Sequence, residues 1–550
     1  MPTQRAHGGA AVQPINLTSP AFRGLNTENS ANLLGPEWAT TLDNAVFDTE
    51  GRPTTRKGWV SGTTTVYDGT EKLIKRIHEF WKASATSEVI SSTDDNILKG
   101  MVDLSTSTAS IDGSLSITDG NIKFVNFADK CIAFGLGSGG IPVAYTGSGN
   151  FGDITVSAGT APTGTVGLSA FGRLWGVDSD KKTLRWSAIL DETKWDSGNG
   201  GGSVDFGRAW PSGQDTIVAL GAISDNLVVM GRKSAIIIAD DAPSALGLDP
   251  TQMYVKDALA GVGAISQFAV CNAKGDLWLL TENGITSIGR ELVQRTNPIK
   301  RPSDNVNTQL KMALDNETSV DDVTLAYHPA DNFVLAIFPS SEQVFHFDAD
   351  PLDDGSNKTT TWTSAVQTSA YLTSDKSLRA SLSREGGGST TGEIYQYSGF
   401  SDDGKAFVFD YESGWLDLGQ EAAAYLKMVK KVGSVVFASA DTSVTHTVKY
   451  DFDDVGFATA QIAVAGGTAA EYNIAEYSDG GGSGIGYKDP SNTALGQSEY
   501  SGSSLQLRTL SAPSSGAGQY IKVGLQLDNS ASEFSVQQIN LFAKVGRLAH

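Results

Sequence analysis

Residues Ile217–Asp240 read IVALGAI-SDN-LVVMG-RKS-AIIIAD: an apolar strand, a tight polar turn, a second apolar strand, a gap and a third. The apolar runs are five to seven residues long, rich in β-branched side chains and punctuated by Ser, Asp, Asn and Gly, which favours strands over helix. The same order recurs along the chain. It reads KFVNF-ADK-CIAFG then IPVAY from Lys123, and GLSA-FGR-LWGVD then TLRWSA from Gly167. It returns as QFAVCN-AKG-DLWLLT then GITSIG from Gln267, and as VTLAYH-PADN-FVLAIF then QVFHFD from Val323. Two degenerate copies flank these five: HEFW, EVISS and NILKG before them, LRASLS and EIYQYS after. Comparable points fall near Ile77, Phe127, Phe171, Ile217, Phe268, Val323 and Leu372.

A period of about 50 residues with three or four strands per unit is what a β-propeller blade requires. One small antiparallel sheet cannot bury both faces; stacked radially, each covers its neighbour and ring closure leaves few open edges. Two β-sandwiches are the rival arrangement, but the unit order holds over roughly 300 residues, which favours five to seven blades. Helical periodicity is scarce. The one candidate is Asp304–Leu314, with Ser303 as its expected N-cap. The expected fold class is therefore all-β: a propeller with an additional antiparallel, platform-like β domain. Residues 1–65 form an N-terminal arm packing on that platform or on neighbouring subunits. Residues 66–400 form the propeller, and 401–550 the C-terminal β domain, with a Gly/Ser-rich loop over 478–518. The closing QYIKVGLQLDN-SASE-FSVQQINLFAKVG reads as a hairpin.

Composition narrows the function. Lys plus Arg is 41 against 62 Asp plus Glu, a net charge of −21, which repels nucleic acid at long range and argues against tight phosphate binding. Two cysteines, Cys131 and Cys271, exclude a disulfide framework or a cysteine-based zinc site and read as buried thiols. No apolar run reaches the ~18 residues of a membrane span, and the first residues show no export signal, so the chain reads as soluble.

A search for chemistry returns near-misses. Gly399–Ala406 (GFSDDGKA) has the spacing of a phosphate-binding loop, yet Ala406 replaces the hydroxyl, Asp402 and Asp403 repel phosphate, and a strand follows. Gly135, Gly137 and Gly140 have dinucleotide-loop spacing but lead into a strand, so they read as a flexible turn. The six histidines, His7, His78, His328, His346, His446 and His550, share no metal-like spacing, although His328 and His346 flank paired strands. Asp348, Asp350, Asp353 and Asp354, and Asp451, Asp453 and Asp454, form acidic runs; solvated loop charge is the plain reading, a calcium site the sharper one. Trp175, Trp186, Trp195 and Trp278 fall in blade-like segments, where packing between blades competes with sugar stacking. No catalytic, cofactor or metal residue is assigned, and the chain reads as a non-enzyme.

Arg23–Trp59, RGLNTENSANLLGPEWATTLDNAVFDTEGRPTTRKGW, resembles the opening of tailed-phage structural proteins. The matching positions are Gly24, Leu25, Asn26 and Thr27, then Asp43, Asn44, Phe47 and Asp48, then Arg56, Gly58 and Trp59. Leu174–Asp196, Val255–Gly289 and Tyr520–Arg547 resemble the same group. The family is the β-propeller tail nozzle, or tail tubular protein B, of short-tailed bacteriophages. The resemblance implies a structural virion protein of the tail: a homohexameric ring below the portal and adaptor. It also implies a channel through which double-stranded DNA passes without sequence-specific binding, and contact with a tail fibre, spike or tip protein. It implies no catalytic residues. A glycan-binding or glycan-cleaving propeller for host adsorption is the alternative.

Overall fold

The structure is a computed structural model. It describes residues 12–61, 73–82, 87–101, 109–241, 248–294, 300–383, 393–418, 425–438, 442–453, 455, 458–464, 476–478, 486–488, 506–529 and 533–547. His7, His550, Asp454 and most of the 478–518 stretch lie outside these residues. The fold is all-β, in two compact units: Ser61–Asn357 with Trp362–Tyr397, and Met1–Val60 with Lys358–Thr361 and Ser398–His550.

The first unit is a propeller of seven blades. The innermost strands are Arg76–Phe80, Phe124–Phe127, Gly167–Ala170, Ala219–Ile223, Val270–Ala273, Thr324–His328 and Val366–Leu372. Each neighbours the next, and the seventh returns to the first, closing the ring. Each of the seven repeat copies became one blade. Three inner hairpins close on two-residue turns with positive φ at both positions: Ala128–Asp129, Phe171–Gly172 and Lys274–Gly275. That turn type follows the twist of the flanking strands, which is why the short ADK, FGR and AKG breaks recur.

Alternation along a strand explains the unbroken apolar runs. Successive side chains point to opposite faces of a blade, and both faces are covered. In the fourth blade Leu227 and Val229 pack with Trp175 and Trp186 of the third, whereas Val228 and Met230 pack with Leu277 and Leu279 of the fifth. Phe124, Cys131 and Tyr145 likewise meet Phe80 and Ile90 of the first blade, while Val125, Phe127 and Ile132 meet Leu174. Ile77 and Val89 pack with Leu372, joining first and last blades.

Helix is sparse and partly misplaced by the sequence reading. The expected helix is Asn307–Asp315, three residues later than its predicted start, with no side-chain cap. Ser303 instead accepts the Ile285 N–H and donates to Asn307 Oδ1. A second helix, Ile288–Gln294, takes over where GITSIG read as strand throughout; Gly289 N–H at its start donates to Asp276 Oδ1.

The second unit is a sandwich. One sheet runs Gln506–Pro513, Tyr425–Ala438, Phe534–Arg547, Pro53–Thr55, Ala45–Phe47, with Gln13–Thr18 also on Phe534–Arg547. In the other, Trp38–Asp43 pairs Phe407–Ser413, which pairs Ile521–Asn529, then Thr442–Tyr450, then Ala458–Val464. The expected C-terminal hairpin is therefore not a hairpin. Ile521–Asn529 and Phe534–Arg547 lie in different sheets, with Ile521, Val523, Leu525 and Leu527 buried from one and Ile539, Leu541 and Ala543 from the other. Both strands alternate, so each buries one face more fully by crossing the core than by pairing locally. The segment read as an arm contributes strands within the fold: Trp38–Asp43 sits beside Phe407–Ser413, and Pro53–Thr55 meets Ser535.

Candidate functional site

The positions of Arg23–Trp59 that carry the phage-protein resemblance lie within the sandwich unit. Asn44 is buried with positive φ, and its amide donates to Val408 O. Asp48 closes the turn before Pro53–Thr55: Oδ1 accepts the N–H groups of Glu50 and Arg52, and Oδ2 pairs with Arg52 Nε at 2.6 Å. The Arg52 guanidinium lies over Phe437, 4.2 Å from the ring centre. Arg56 is the centre of the arrangement. Its side chain is fully buried and forks onto Asp402 at 2.8 and 2.6 Å. It also donates to Asn44 Oδ1 and Lys57 O, both at 2.9 Å, and stacks on Phe407 at 4.1 Å. Asp402 additionally accepts the Trp59 N–H. A Cβ on Gly58 would sit 2.0 Å from Ser401 O, so only glycine lets the two backbones meet. These positions form a junction between residues 44–59 and 399–407.

That junction also disposes of the phosphate-loop near-miss. Asp402 and Lys405 exchange two backbone hydrogen bonds in a tight turn, and the Asp402 carboxylate is consumed by Arg56. The strand Phe407–Ser413 follows, so no helix N-terminus faces the loop. Ser138–Gly140 is a single 3-10 turn leading to Val143–Tyr145.

His328 and His346 do approach a common group: both ring centres lie 4.9 Å from that of Phe333. His346 also stacks on Trp362, and burial brings its imidazole down to about 3. His78 and His446 are brought to about 4 by burial. Burial thus keeps His78, His346 and His446 neutral at ordinary pH. Asp350 pairs with Lys274 and accepts from Asn332 Nδ2. Burial pushes the Asp354 carboxyl up, but Ser356 and Lys300 outweigh it and bring it down to about 2. Asp451 accepts the N–H groups of Gln519 and Tyr520. Among the described residues no group of three His, Cys, Asp or Glu side chains could hold a metal ion. Trp175, Trp186, Trp195 and Trp278 are all buried, so none presents a face for stacking a sugar. Cys131 is buried, and burial pushes Cys271 up to about 12.

Sequence reasoning missed two charged clusters. On one sandwich sheet, Asp43 and Asp410 face each other in register beside Glu412. Glu412 pairs with Lys449 and Lys522, both at 2.6 Å. Burial, then Glu412 and Asp43, raise Asp410 to about 6. The polar positions alternate with Phe407, Phe409 and Tyr411, a pattern that assigns the face but not the cross-strand partners.

The other cluster crosses one mouth of the propeller bore. Arg76, at the start of the first inner strand, donates to Thr324 Oγ1 at 2.5 Å, Asn121 Oδ1 at 2.6 Å and Asp321 O, and stacks on Phe268 at 3.7 Å. Lys75 pairs with Asp322 at 3.0 Å, and Asn121 donates to the same carboxylate. First, second, fifth and sixth blades thus meet through side chains at this end.

No known family model matches the chain, and no curated protein matches it. Solved structures give distant likenesses. The extracellular domain of a one component system from B. thetaiotaomicron aligns at 8% identity and TM-score 0.39, over 80% of this chain and 59% of that one, so the match takes in less than two thirds of that protein. The CNH domain of AfRom2 aligns at 11% identity and TM-score 0.35, over 62% of this chain and 98% of that one. Hsv2 of Kluyveromyces lactis aligns at 9% and 0.30, over 50% and 81%. Likenesses this distant carry no argument about function. Among the described residues no helix is long and apolar enough to cross a membrane.

Proposed function

We propose that this chain is a structural virion protein: a tail nozzle of six copies that continues the DNA-ejection channel below a portal and adaptor and anchors tail fibres or a tip. The observation that supports this reading best is the fate of the signature residues. Asn44, Arg56 and Gly58, positions shared with short-tailed phage tail proteins, meet Val408, Asp402 and Ser401 in a buried junction of the sandwich unit, and Asp48 closes a neighbouring turn. A signature spent on architecture suits a protein whose work is architectural. The acidic balance of the chain also suits a conduit, since an anionic wall does not retain passing phosphates.

The test is assembly. Full-length protein, alone or with its adaptor, is weighed by mass photometry and imaged by negative-stain electron microscopy. Six copies of a 57.8 kDa chain give a ring of about 350 kDa with an open axis. A monomer that stays monomeric with adaptor, or one that depolymerises a capsular polysaccharide, overturns the reading in favour of the glycan-directed alternative.

A further inference from the structure

We propose that the strand Gln13–Thr18 is exchanged between copies of this chain: on assembly it leaves its own sandwich and pairs with Phe534–Arg547 of a second copy, turning on Ser19 as the hinge. The inference rests on the reading that copies of this chain assemble, and it names the strand that ties one copy to the next.

Gln13–Thr18 is held mainly by its backbone. It runs antiparallel to Phe534–Arg547 in unbroken register, from Gln13 opposite Ala543 to Thr18 opposite Gln538. Of its six side chains Leu17 is buried, Ile15 is half-buried and the other four are exposed. Leu17 and Ile15 stand opposite Ile539 and Leu541, which are buried on the inward side of the sheet. Main-chain hydrogen bonds supply most of such a contact and the inward side chains fix its register, so Phe534–Arg547 of any copy offers an equivalent seat. On its other side Phe534–Arg547 is paired along its whole length with Tyr425–Ala438. Departure of Gln13–Thr18 therefore leaves a supported strand with an open edge, which is a template for another strand.

The bend that returns the strand to its own sandwich is strained at one residue. Ser19 has a φ of 56°, a left-handed conformation in which its Cβ is crowded. It also precedes Pro20, whose ring favours an extended backbone in the residue before it. Both preferences act in the same direction: a relaxed Ser19 continues the strand straight and carries Gln13–Thr18 away from its own Phe534–Arg547. The chain beyond is fixed. Pro20 and Ala21 are buried, Ala21 N–H donates to Pro36 O at 3.1 Å, and Arg23 N–H donates to Glu37 O at 2.9 Å. Opening gives up the 3.3 Å hydrogen bond from Phe22 N–H to Ser19 O. Exchange thus rebuilds the strand's contacts on the neighbour and relieves the hinge. Donation from each copy to the next is head-to-tail, the kind of contact that closes into a ring.

The experiment is disulfide trapping in the full-length protein. Asn16 and Asn540 stand opposite each other in the register, on the outward side of the sheet. Opposed residues of an antiparallel pair have Cα atoms about 4.5–5.5 Å apart, within disulfide reach. The Asn16→Cys, Asn540→Cys double variant is oxidised, alone and with the adaptor, then run on a non-reducing denaturing gel beside mass photometry of the same sample. The parent chain and each single variant are the controls. A covalent ladder from two chains up to the size of the assembly, lost on reduction, is the expected result. Rings that carry only intrachain bridges overturn the exchange and leave the nozzle reading standing, whereas a monomer with an intrachain bridge overturns both. Absence of either bridge shows that Gln13–Thr18 does not lie on Phe534–Arg547, and overturns the exchange too. Ser19→Gly, added to the double variant, tests the hinge, because glycine takes the left-handed conformation without strain. At the protein concentration where half the bridges of the double variant join two chains, it lowers the ratio of interchain to intrachain bridges about tenfold. An unchanged ratio overturns the proposal.

Discussion

Asp402→Ala tests whether the Arg56 junction holds the sandwich unit together. The substitution removes both arms of the fork at 2.8 and 2.6 Å and the acceptor of the Trp59 N–H. It leaves a guanidinium with no exposed side-chain surface without its carboxylate partner, beside the neutral acceptors Asn44 Oδ1 and Lys57 O. Breaking a buried pair from one side costs roughly 3–5 kcal/mol, because the remaining charge stays buried. Asp402 keeps 21% of its side-chain surface, so some screening already acts and the low end, about 3 kcal/mol, applies. For a unit of roughly 220 residues each kcal/mol moves Tm by about 2–4 °C, so the sandwich transition falls by about 9 °C. Differential scanning calorimetry of the full chain reads this directly. The double variant Arg56→Met with Asp402→Leu distinguishes the cause: two apolar side chains beside Phe407 leave no orphan charge and destabilise far less than the single changes combined. A fall under about 2 °C in Asp402→Ala, or strict additivity in the double variant, refutes the reasoning.

Gly58→Ala forces a methyl to within 2.0 Å of Ser401 O and lowers the same transition by about 3 kcal/mol, measured by guanidinium unfolding; a neutral outcome shows that the two segments do not meet there. Asp410 carries a pH signature. Its folded value of about 6 lies above the ordinary 3.8, so the folded state holds the extra proton and stability falls as pH rises from about 4 to 6. Asp410→Asn therefore stabilises at pH 8 and not at pH 4, by denaturant titration, and a gain equal at both pH values refutes the assignment. Glu412 works in the opposite sense: burial raises it, but Lys449 and Lys522 prevail and lower it, so its contribution is lost on acidification. Deleting residues 1–60 removes Trp38–Asp43 and Pro53–Thr55, so the sandwich transition disappears from the calorimetric trace instead of assembly alone failing. Cys131 and Cys271 resist iodoacetamide in the native protein and both react after unfolding, read as a two-adduct mass increase.

The propeller was legible because its information is local. Turns such as Phe171–Gly172 and Lys274–Gly275 fix hairpins within a dozen residues, and a run such as LVVM at 227–230 declares burial on both faces without naming the neighbours. Seven such statements in fixed order suffice for a ring, and the degenerate copies at Ile77 and Leu372 pack against each other. The sandwich was legible only as strands. Tyr425–Ala438 and Thr442–Tyr450 are neighbours in sequence, as are Ile521–Asn529 and Phe534–Arg547, yet each pair splits between two sheets. Alternation specifies which side chains face the core and is silent on whether the next strand lies beside or across it. The passage of Lys358–Thr361 through the sandwich unit in the midst of the propeller sequence has no compositional mark. The charged groups were the least legible of all. Arg56 finds Asp402 at a separation of 346 residues, and Arg76 finds Thr324 at 248. At such distances in the chain a lone arginine in a polar stretch reads as surface charge, and only the closed fold reveals that one fastens a junction and the other spans the mouth of a bore. Arg56 and Asn44 lie only 12 residues apart, close enough to be read together, whereas nothing local distinguishes Arg76.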